Sequence, residues 1–264
     1  PTTPRFHHTI AIDAIERDWH CMIEKPVGLT VRACNLIAAA GQNRSRTISV
    51  AENYRRDPMN RLARALLDAG VIGDPRLMLH HSLGGRDKMI ISVWRHQKNQ
   101  SGLLLDVGVH FTDMMEYLLG EITTVYAQTR LHEKVRYNPA ATGEGGQINP
   151  SGVYGKWQKE MPAEFEATAE DAAYATLTFS SGAVGQYVED HAIHGDTHWM
   201  RQIQGSSGSM DLPTDRRGDP ISVNLSGKLV EGDALAMIEL ASGCICCSLQ
   251  GALIDGLAEL VEEQ

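Results

Sequence analysis

The sequence predicts an α/β plus α+β fold, in which an alternating helix–strand segment precedes an α/β domain with an open, mostly antiparallel sheet. Short apolar strands alternate with helices over residues 1–74, which is typical of a layer with parallel strands. From residue 172 onward, segments of alternating polarity are separated by tight turns, which indicates an antiparallel meander. A largely apolar helix at 103–119 lies between them and should cover the sheet.

The first helices and strands are delimited by their end residues. An amphipathic helix is predicted at 9–19 and a buried strand at 20–23, which ends at Glu24-Lys25-Pro26. Thr30 is a favourable N-cap for a second helix, because its hydroxyl can accept a hydrogen bond from a free backbone N–H. Gly41 stands in the C′ position of that helix, where glycine is favoured.

A second strand and a third helix continue the alternation. Residues 46–51 are predicted as the strand. Asp57 is the expected N-cap of the helix, Pro58 takes its first position and Gly70 ends it. Parallel strands joined by helices are therefore expected in this part of the chain.

The remainder of the chain is predicted to be rich in strands. The expected strands are 76–81, 89–94, 122–131, 174–179, 183–188, 198–204 and 209–212. The stretch 134–165 is rich in Gly, Asn and Pro and is too long for a plain connection. It is predicted to be a functional or partly mobile loop.

The helix at 103–119 carries three polar residues on one face. Asp106, His110 and Asp113 are spaced i, i+4 and i+7, which places their side chains together. Because burying an unpaired charge is costly, such groups are usually paired or used for chemistry. An Asp that orients a His would build a general base. The alternatives are a polar stripe facing solvent or a neighbouring element, and a divalent-ion site, for which these ligands alone are a weak signal.

Composition excludes several classes of function. Of 264 residues, 42% are hydrophobic and 22% charged, as in ordinary globular proteins. The net charge of -9 and the lack of a Lys/Arg-rich run argue against a nucleic-acid partner. No apolar run could span a membrane, and the first residues do not resemble a signal peptide. Five cysteines, three of them at 244–247, form no even disulfide framework, which favours a cytoplasmic location.

Four motifs follow one another over about residues 1–212. They are Glu24-Lys25-Pro26 after a strand, Asn53-Tyr-Arg-Arg56 before a helix, Trp94-Arg95, and Gly102-x3-Asp106-x-Gly108-x-His110-x2-Asp113. Their order and spacing resemble the Gfo/Idh/MocA family of oxidoreductases. The resemblance implies that residues 1–55 are the C-terminal part of a Rossmann domain, which binds NAD or NADP. It also implies that 56–212 form a substrate-binding domain of a homo-oligomer, with a sugar, inositol or similar polyol, or its ketone, as substrate.

The resemblance also assigns site residues. Lys25 would lie between nicotinamide and substrate, His110 would accept the hydroxyl proton, and Asp106 would orient His110 or bind a hydroxyl. A histidine base beside a lysine cation suits the oxidation of a carbinol, since the cation stabilises the developing oxyanion. The implied cofactor-binding residues are Glu24, Lys25 and Pro26. The implied substrate-binding residues are Asn53, Arg55, Trp94, Arg95 and Asp113.

Simpler interpretations exist for several of these residues. Lys25 could be a solvated strand end, while Arg95 and Trp94 could be a surface and a core residue respectively. The three histidines within 191–198 resemble a loose metal set, although scattered histidines around a strand turn are the commoner case.

The family's cofactor loop is not found in the sequence. In a G-x-G-x-x-G loop, backbone amides and a helix N-terminus hold the pyrophosphate. The glycine clusters at 84–85, 143–146 and 205–208 do not stand between a first strand and its helix. Pro1-Thr-Thr-Pro4 followed by His7 resembles the family's loop before the fourth Rossmann helix. The sequence therefore predicts that the first half of the nucleotide domain is missing.

The tail resembles a second family. Residues 224–264 contain Gly243-Cys244-Ile-Cys246-Cys247, similar to the G-C-x-C-C motif of the CobW metal-chaperone GTPases. In that family the motif binds zinc or a similar ion, and three thiolates are suitable soft ligands for it. The phosphate loop G-x4-G-K-[ST] of a GTPase is absent. We therefore expect 213–264 to be a CobW-like fragment that binds zinc through Cys244, Cys246 and Cys247.

Three classes of function compete. The first, which we adopt, is an NAD(P)-dependent oxidoreductase that transfers a hydride between nicotinamide and a polyol or ketone. The second is a metal-binding module at the cysteine cluster, and the third is a catalytically silent scaffold or oligomerisation module. Nicotinamide binding would favour the first, stoichiometric zinc the second, and an oligomer that binds neither the third.

Overall fold

The computed structural model of the protein describes residues 2–42, 44–143, 155–214, 219–225 and 228–229. They form a small two-stranded parallel unit, an eight-stranded sheet covered by a long helix, and a short antiparallel pair of strands. Within these ranges, no helix combines the length and apolar character needed to cross a membrane.

The parallel unit confirms the predicted alternation of helices and strands. It consists of α1 (His7–Glu16), β1 (Cys21–Ile23), α2 (Val31–Gly41) and β2 (Ile48–Val50). β1 and β2 pair in parallel, with Cys21 opposite Ile48. Its buried core consists of Ala11, Ile15, Ile23 and Ile37. The parallel unit therefore has only a small hydrophobic core.

The ends of α2 follow the sequence signals with one exception. The Thr30 side chain accepts a hydrogen bond from the Ala33 N–H at 3.1 Å, as expected of an N-cap. Gly41 was expected just beyond the helix but is its last helical residue. Gln42 ends the helix instead, because its backbone is extended.

The third helix, α3 (Pro58–Asp68), begins and ends where the sequence predicts. The Asp57 carboxylate accepts a hydrogen bond from the Met59 N–H at 3.0 Å and caps the helix. Gly70, just past the end, has a φ of +72°, which glycine adopts without strain. A short 3-10 helix, Tyr54–Arg56, connects β2 to this cap.

The elements after α3 alternate between the large sheet and its cover. In chain order they are β3 (Pro75–Gly85), α4 (Leu103–Leu119), β4 (Ile122–Arg130), β5 (Val135–Tyr137), α5 (Pro139–Thr142), α6 (Gly155–Glu160), β6 (Glu164–Glu166), β7 (Ala172–Phe179), β8 (Val184–Ile193), β9 (His198–Gly205), β10 (Gly208–Asp211), β11 (Ser222–Leu225) and β12 (Lys228–Leu229).

The sheet is mostly antiparallel, as predicted, with one parallel pair. Its spatial order is β12-β11-β10-β9-β3-β8-β7-β4. β3 pairs in parallel with β8 and antiparallel with β9, so it separates two strands that are consecutive in the chain. The expected simple meander is thus interrupted, because a strand from before α4 is inserted into it.

Residues 89–94, which the sequence predicts as a strand, do not form one. Ile91 has a φ of 64°, which an extended strand cannot accommodate. A short 3-10 helix, Val93–His96, follows directly. The preceding strand, β3, instead runs on to Gly85.

The polar stretch 134–165 contains the short elements β5, α5, α6 and β6. Arg136 of β5 is fully buried, and its guanidinium pairs with Asp171 at 2.8 Å. The same side chain donates to the carbonyl oxygen of His191 at 3.0 Å, which ties the stretch to β8. Residues 144–154, the middle of the predicted loop, lie outside the described residues.

Helix α4 spans the predicted residues and covers one face of the sheet. Met115 is buried under it beside Phe179, in a core shared with α3. Gly108 lets the helix approach closely, because a Cβ there would lie 2.6 Å from the Tyr187 hydroxyl oxygen. Along β3, Met78 is buried on this face, while Leu79 on the opposite face is only partly buried. The sheet therefore has one covered and one open face.

Candidate active site

Two strand ends and one helix meet at the candidate site. Lys25 follows β1 and Glu52 follows β2, at the carboxyl ends of the parallel pair. The ladder extends slightly beyond the strands, since the Ala51 N–H donates to the Ile23 carbonyl oxygen at 2.8 Å. Ligands of α/β folds bind at this edge of the sheet. The first turns of α4 bring Asp106 and His110 to the same edge.

Asp106 is buried between two cations. Its Oδ1 lies 3.1 Å from Lys25 Nζ, and its Oδ2 lies 2.5 Å from Arg95 Nη1. Lys25 Nζ also donates to the Asp106 carbonyl oxygen at 2.7 Å. The Asp106 side chain is 2% exposed, whereas Lys25 and Arg95 keep 15% and 13%. The carboxylate is thus compensated inside the protein, and it holds the lysine ammonium at the rim of the site.

His110 is paired with Glu52. Its Nδ1 lies 2.8 Å from both carboxylate oxygens, and each side chain is 12% exposed. Burial alone would raise the pKa of Glu52, but hydrogen bonds from His110 and the Tyr54 N–H, with the charges of His110 and Lys25, hold this pKa below its ordinary value. Within the described residues, Nε2 of His110 has no hydrogen-bond partner.

The third polar residue of this helix face, Asp113, pairs with Arg55. Asp113 Oδ2 lies 2.6 Å from Arg55 Nε, with the side chains 30% and 44% exposed respectively. The Arg55 guanidinium carbon also lies 5.3 Å from the centre of the Tyr117 ring. An exposed pair of this kind contributes little stability. All three polar residues of the α4 face therefore have a charged partner on another element.

Of the two remaining predicted substrate-binding residues, Trp94 lies in the 3-10 helix Val93–His96, and Asn53 directly precedes the 3-10 helix Tyr54–Arg56. Trp94 is partly buried, and its ring centre lies 5.1 Å from the Arg95 guanidinium carbon. Asn53 is exposed and precedes the 3-10 helix that contains Arg55. The Arg95 guanidinium pairs with the buried Asp106 carboxylate. The Asn53 side chain makes no hydrogen bond that caps the 3-10 helix after it.

The predicted cofactor-binding residues follow the end of β1. Glu24 is exposed, and its Oε1 accepts a hydrogen bond from the Lys25 N–H at 3.1 Å. Pro26 is buried, and its peptide bond with Lys25 is cis. The Pro26 carbonyl oxygen lies 2.8 Å from Nδ1 of His7.

The expected hydrogen bond from Asp106 to His110 is not formed. Their i, i+4 spacing does place both on one face of α4, as predicted. The Asp106 carboxylate is drawn instead to Lys25 and Arg95, because full positive charges attract it more strongly than an imidazole N–H does. The ring of His110 turns to Glu52 on β2's side of the site.

Sequence reasoning missed Glu52. A signal was present, since Glu52 follows the second predicted strand just as Lys25 follows the first. Parallel strands place the residues after their carboxyl ends at one edge of the sheet. An acidic residue at this place could therefore have been expected next to the Lys25 site.

No group of three His, Cys, Asp or Glu side chains in the described part of the chain has the geometry of a metal site. His194 Nε2 instead lies 2.8 Å from Glu133, and the His198 ring centre lies 5.8 Å from that of His81. The divalent-ion interpretation of the α4 face gains no support. Cys244, Cys246 and Cys247 lie outside the described residues, so zinc there stays a prediction.

The site combines a cation with a ring nitrogen, Nε2 of His110, that has no partner in the part of the chain that the structure describes. Lys25 Nζ can donate a hydrogen bond to a hydroxyl or carbonyl oxygen. Nε2 of His110 can exchange a proton with a hydroxyl or carbonyl oxygen. Such a set is suited to the interconversion of an alcohol and a ketone, because one group transfers the proton and the other stabilises the negative charge on oxygen.

The chain is similar in sequence to several sugar dehydrogenases. Levoglucosan dehydrogenase of Pseudarthrobacter phenanthrenivorans is 29% identical over 225 residues, which cover 83% of this chain and 55% of that protein. D-glucoside 3-dehydrogenase of Escherichia coli is 22% identical over 181 residues, which cover 68% of this chain and 47% of that protein. The chain thus spans about half the length of these relatives.

Solved structures share its fold. Levoglucosan dehydrogenase in complex with NADH and L-sorbose has a TM-score of 0.69 at 26% identity, over 88% of this chain and 58% of that one. The complex with NADH and levoglucosan also has a TM-score of 0.69 at 26% identity, over 87% and 57%. These similarities lend no support to a CobW-like segment at 224–264.

The family follows from one further match. Residues 60–211 match the GFO/IDH/MocA C-terminal domain. This segment is more than half of the 264 residues, and it includes α4 with Asp106, His110 and Asp113. The chain belongs to the GFO/IDH/MocA family.

Proposed function

We propose that the chain carries the substrate side and the catalytic groups of an NAD(P)-dependent dehydrogenase acting on a sugar or similar polyol. The observation that carries this proposal is the pairing of Lys25 with Asp106 beside His110, at the carboxyl ends of β1 and β2. The presence of NADH and a sugar in the related levoglucosan dehydrogenase supports it.

In the oxidising direction, Nε2 of His110 accepts the proton of the substrate hydroxyl. Lys25 Nζ lies at the oxygen and stabilises the negative charge that develops there. Asp106 holds Nζ through contacts of 2.7 and 3.1 Å, and Arg95 balances the second carboxylate oxygen. In the reducing direction His110 returns the proton, so the same groups serve both reactions.

The residues after β1 fit a nicotinamide cofactor. Glu24, Lys25 and Pro26 stand at the edge where parallel sheets bind dinucleotides, and we assign them to cofactor binding. Lys25 is held on one side by Asp106 and keeps 15% exposure on the other, so its ammonium can face a second group. Bound NAD or NADP would supply the acceptor for the hydride that leaves the substrate carbon.

The substrate contacts are assigned to side chains around this centre. Hydroxyl-rich ligands are bound by charged and amide groups together with an aromatic wall. The partly exposed groups that provide these are Asn53, Arg55, Trp94, Arg95 and Asp113.

A homo-oligomer formed through the open face of the sheet is part of the same proposal. Tyr126 of β4 supports it, because it pairs with Thr176, on the face opposite that of Leu177 and Phe179, and is 71% exposed, which is unusual for an aromatic strand residue. Light scattering of the purified chain tests this, and a mass that stays at 28.9 kDa at high concentration would contradict it. A cytoplasmic location completes the proposal.

Cofactor binding is tested by titrating the chain with NADH and NADPH and following energy transfer from its tryptophans. Saturable binding is expected, with an affinity lowered because the sequence lacks the pyrophosphate-binding loop, and turnover is then measured with a panel of polyols and anhydrosugars. No binding at millimolar cofactor would contradict the proposal for this chain.

The catalytic assignment is tested by His110→Ala. Turnover should fall by at least about 10²-fold, since a positioned general base contributes about that much, while circular dichroism stays unchanged. His194→Ala is the matched control, because His194 is 59% exposed and lies outside the site. Unchanged turnover of His110→Ala would exclude the role given to His110.

A further inference from the structure

Glu52 stands where it can decide which nitrogen of His110 carries the proton. Nδ1 of His110 lies 2.8 Å from Oε1 and 2.8 Å from Oε2, so both carboxylate oxygens face one ring nitrogen. An ionised carboxylate only accepts hydrogen bonds, and a neutral imidazole has a single N–H. The contact therefore requires the proton on Nδ1 and leaves the lone pair on Nε2.

We propose that Glu52 is a positioning residue, which fixes His110 in the Nδ1-protonated tautomer and thereby makes Nε2 the base. The tautomer follows from the contact itself. Its consequence for catalysis rests on the proposed dehydrogenase function.

Tyr54 holds both members of the pair in place. Its N–H donates to Glu52 Oε1 at 2.8 Å. Its ring centre lies 4.6 Å from that of His110, with the two planes tilted by 41°. Because Glu52 and His110 are each only 12% exposed, water competes weakly for their hydrogen bond. The ring thus has one preferred orientation.

Asp106 is the other carboxylate near enough in the sequence to have oriented the His110 ring. It stands four residues before His110 on α4, but its two oxygens face Lys25 and Arg95 at 3.1 and 2.5 Å. The two acids therefore have separate tasks. Asp106 holds the cation, and Glu52 holds the base.

The pairing also matters once the proton moves. As the O–H proton of the substrate passes to Nε2, the hydrogen of the carbinol carbon would leave with its bonding electron pair as hydride to bound NAD or NADP in its oxidised form, and His110 would become an imidazolium. Glu52 keeps its negative charge and stabilises that cation at 2.8 Å. In a serine protease with a comparable carboxylate–histidine pair, changing the acid to an amide lowers kcat about 10⁴-fold through the wrong tautomer.

The test is ¹⁵N NMR of the full chain labelled at histidine, at a pH where the imidazole is neutral. In the unmodified chain, Nε2 of His110 should have the chemical shift of an unprotonated ring nitrogen. In Glu52→Gln the amide can accept from Nδ1 or donate to it, so the Nε2-protonated tautomer should gain population. The kcat should fall on the order of 10²-fold or more, with KM changing less.

Asp106→Asn is the matched control for the spectrum, because Asp106 does not contact the ring and its variant should keep the tautomer. If Glu52→Gln loses its fold, Glu52→Asp carries the test, since a shorter carboxylate should retain the Nδ1 proton. An Nε2-protonated His110 in the unmodified chain, or equal tautomer populations in Glu52→Gln, would overturn the proposal. If the tautomer shifts as expected but no polyol is oxidised, the proposed function fails and the tautomer assignment stands.

Discussion

The parallel unit and the sheet unit, which contains β3, α4 and the later strands, differ in the size of their cores. Among the described residues, the parallel unit buries four clustered apolar side chains, whereas the main cluster of the sheet unit has eighteen. The parallel unit also exposes Trp19, Met22 and Val31 to 61%, 69% and 77%. A core that small cannot stabilise an isolated domain. The parallel unit therefore depends on its contacts with the rest of the protein.

Those contacts include the charged pairs of the candidate site. Lys25 and Glu52 of the parallel unit meet Asp106 and His110 of α4 at 3.1 and 2.8 Å. The groups assigned to the chemistry therefore also join the two units. The site is complete only when the units are docked, so local and global stability should affect activity differently.

The largest effect is expected from the core of the sheet unit. Phe179→Ala removes a ring that is 2% exposed beside Met115 and should cost about 3–5 kcal/mol of unfolding free energy, through lost burial and the cavity left behind. Because a whole domain has only about 5–15 kcal/mol, activity should fall with the folded fraction. Urea unfolding followed by far-UV circular dichroism measures the loss.

The matched control is Phe6→Ala, since Phe6 is 47% exposed at the start of α1. Its unfolding free energy should stay within about 0.5 kcal/mol of the unmodified chain. If Phe179→Ala and Phe6→Ala lowered the unfolding free energy equally, the core of the sheet unit would not have the stabilising role given to it.

A smaller and more local effect is expected in the parallel unit. Ile15→Ala empties a fully buried position of α1 and should cost about 2–4 kcal/mol. Since this core is separate, hydrogen exchange should accelerate in α1 and β1 while β3 and β8 stay protected. NADH affinity should fall as the strand end at Lys25 loosens.

Ile10→Ala is the control in the same helix, because Ile10 is 50% exposed. It should leave both exchange and NADH affinity unchanged. If Ile15→Ala accelerates exchange across the whole chain, the two units form one cooperative structure and do not unfold separately.

The features that sequence reasoning predicted are local ones. The bounds of α4 and the caps at Thr30 and Asp57 follow from side chains within a few residues. The insertion of β3 between β8 and β9 depends on pairings across more than a hundred residues, so no window of sequence contains it. The positive φ of Ile91 is similarly imposed by surrounding structure, since a β-branched residue rarely adopts it unaided.

In the candidate site, too, the local features were predicted from the sequence and the long-range contacts were not. The shared face of Asp106 and His110 follows from helix periodicity. Which cation or acid each of them meets depends on the docking of the parallel unit against α4. The family resemblance supplied Lys25 from a motif, but it gave Asp106 the role of orienting His110 or binding a hydroxyl, and it offered nothing on Glu52.

The most gradual of the predicted effects is a loss of stability in acid that arises at buried histidines outside the parallel unit. Burial, with nearby positive charges, lowers the pKa of His80 and of His96 to about 3 from the ordinary 6.5. Between these values the unfolded chain binds a proton that the folded chain refuses, so stability is complete above pH 6.5 and falls below it. Each histidine should cost about 1.4 kcal/mol per pH unit in that window.

The slope of unfolding free energy between pH 6 and pH 4 tests this directly. His80→Leu should reduce the slope by about one proton, because His80 lies between Phe111 and Tyr187 and a leucine there does not titrate. His194→Gln, at a position 59% exposed, should leave the slope unchanged. The described histidines of the parallel unit are not buried, so its hydrogen exchange should respond less to acid than that of β3. An unaltered slope in His80→Leu would mean that His80 takes up its proton in the folded protein, and the acid sensitivity would then have to arise from other groups.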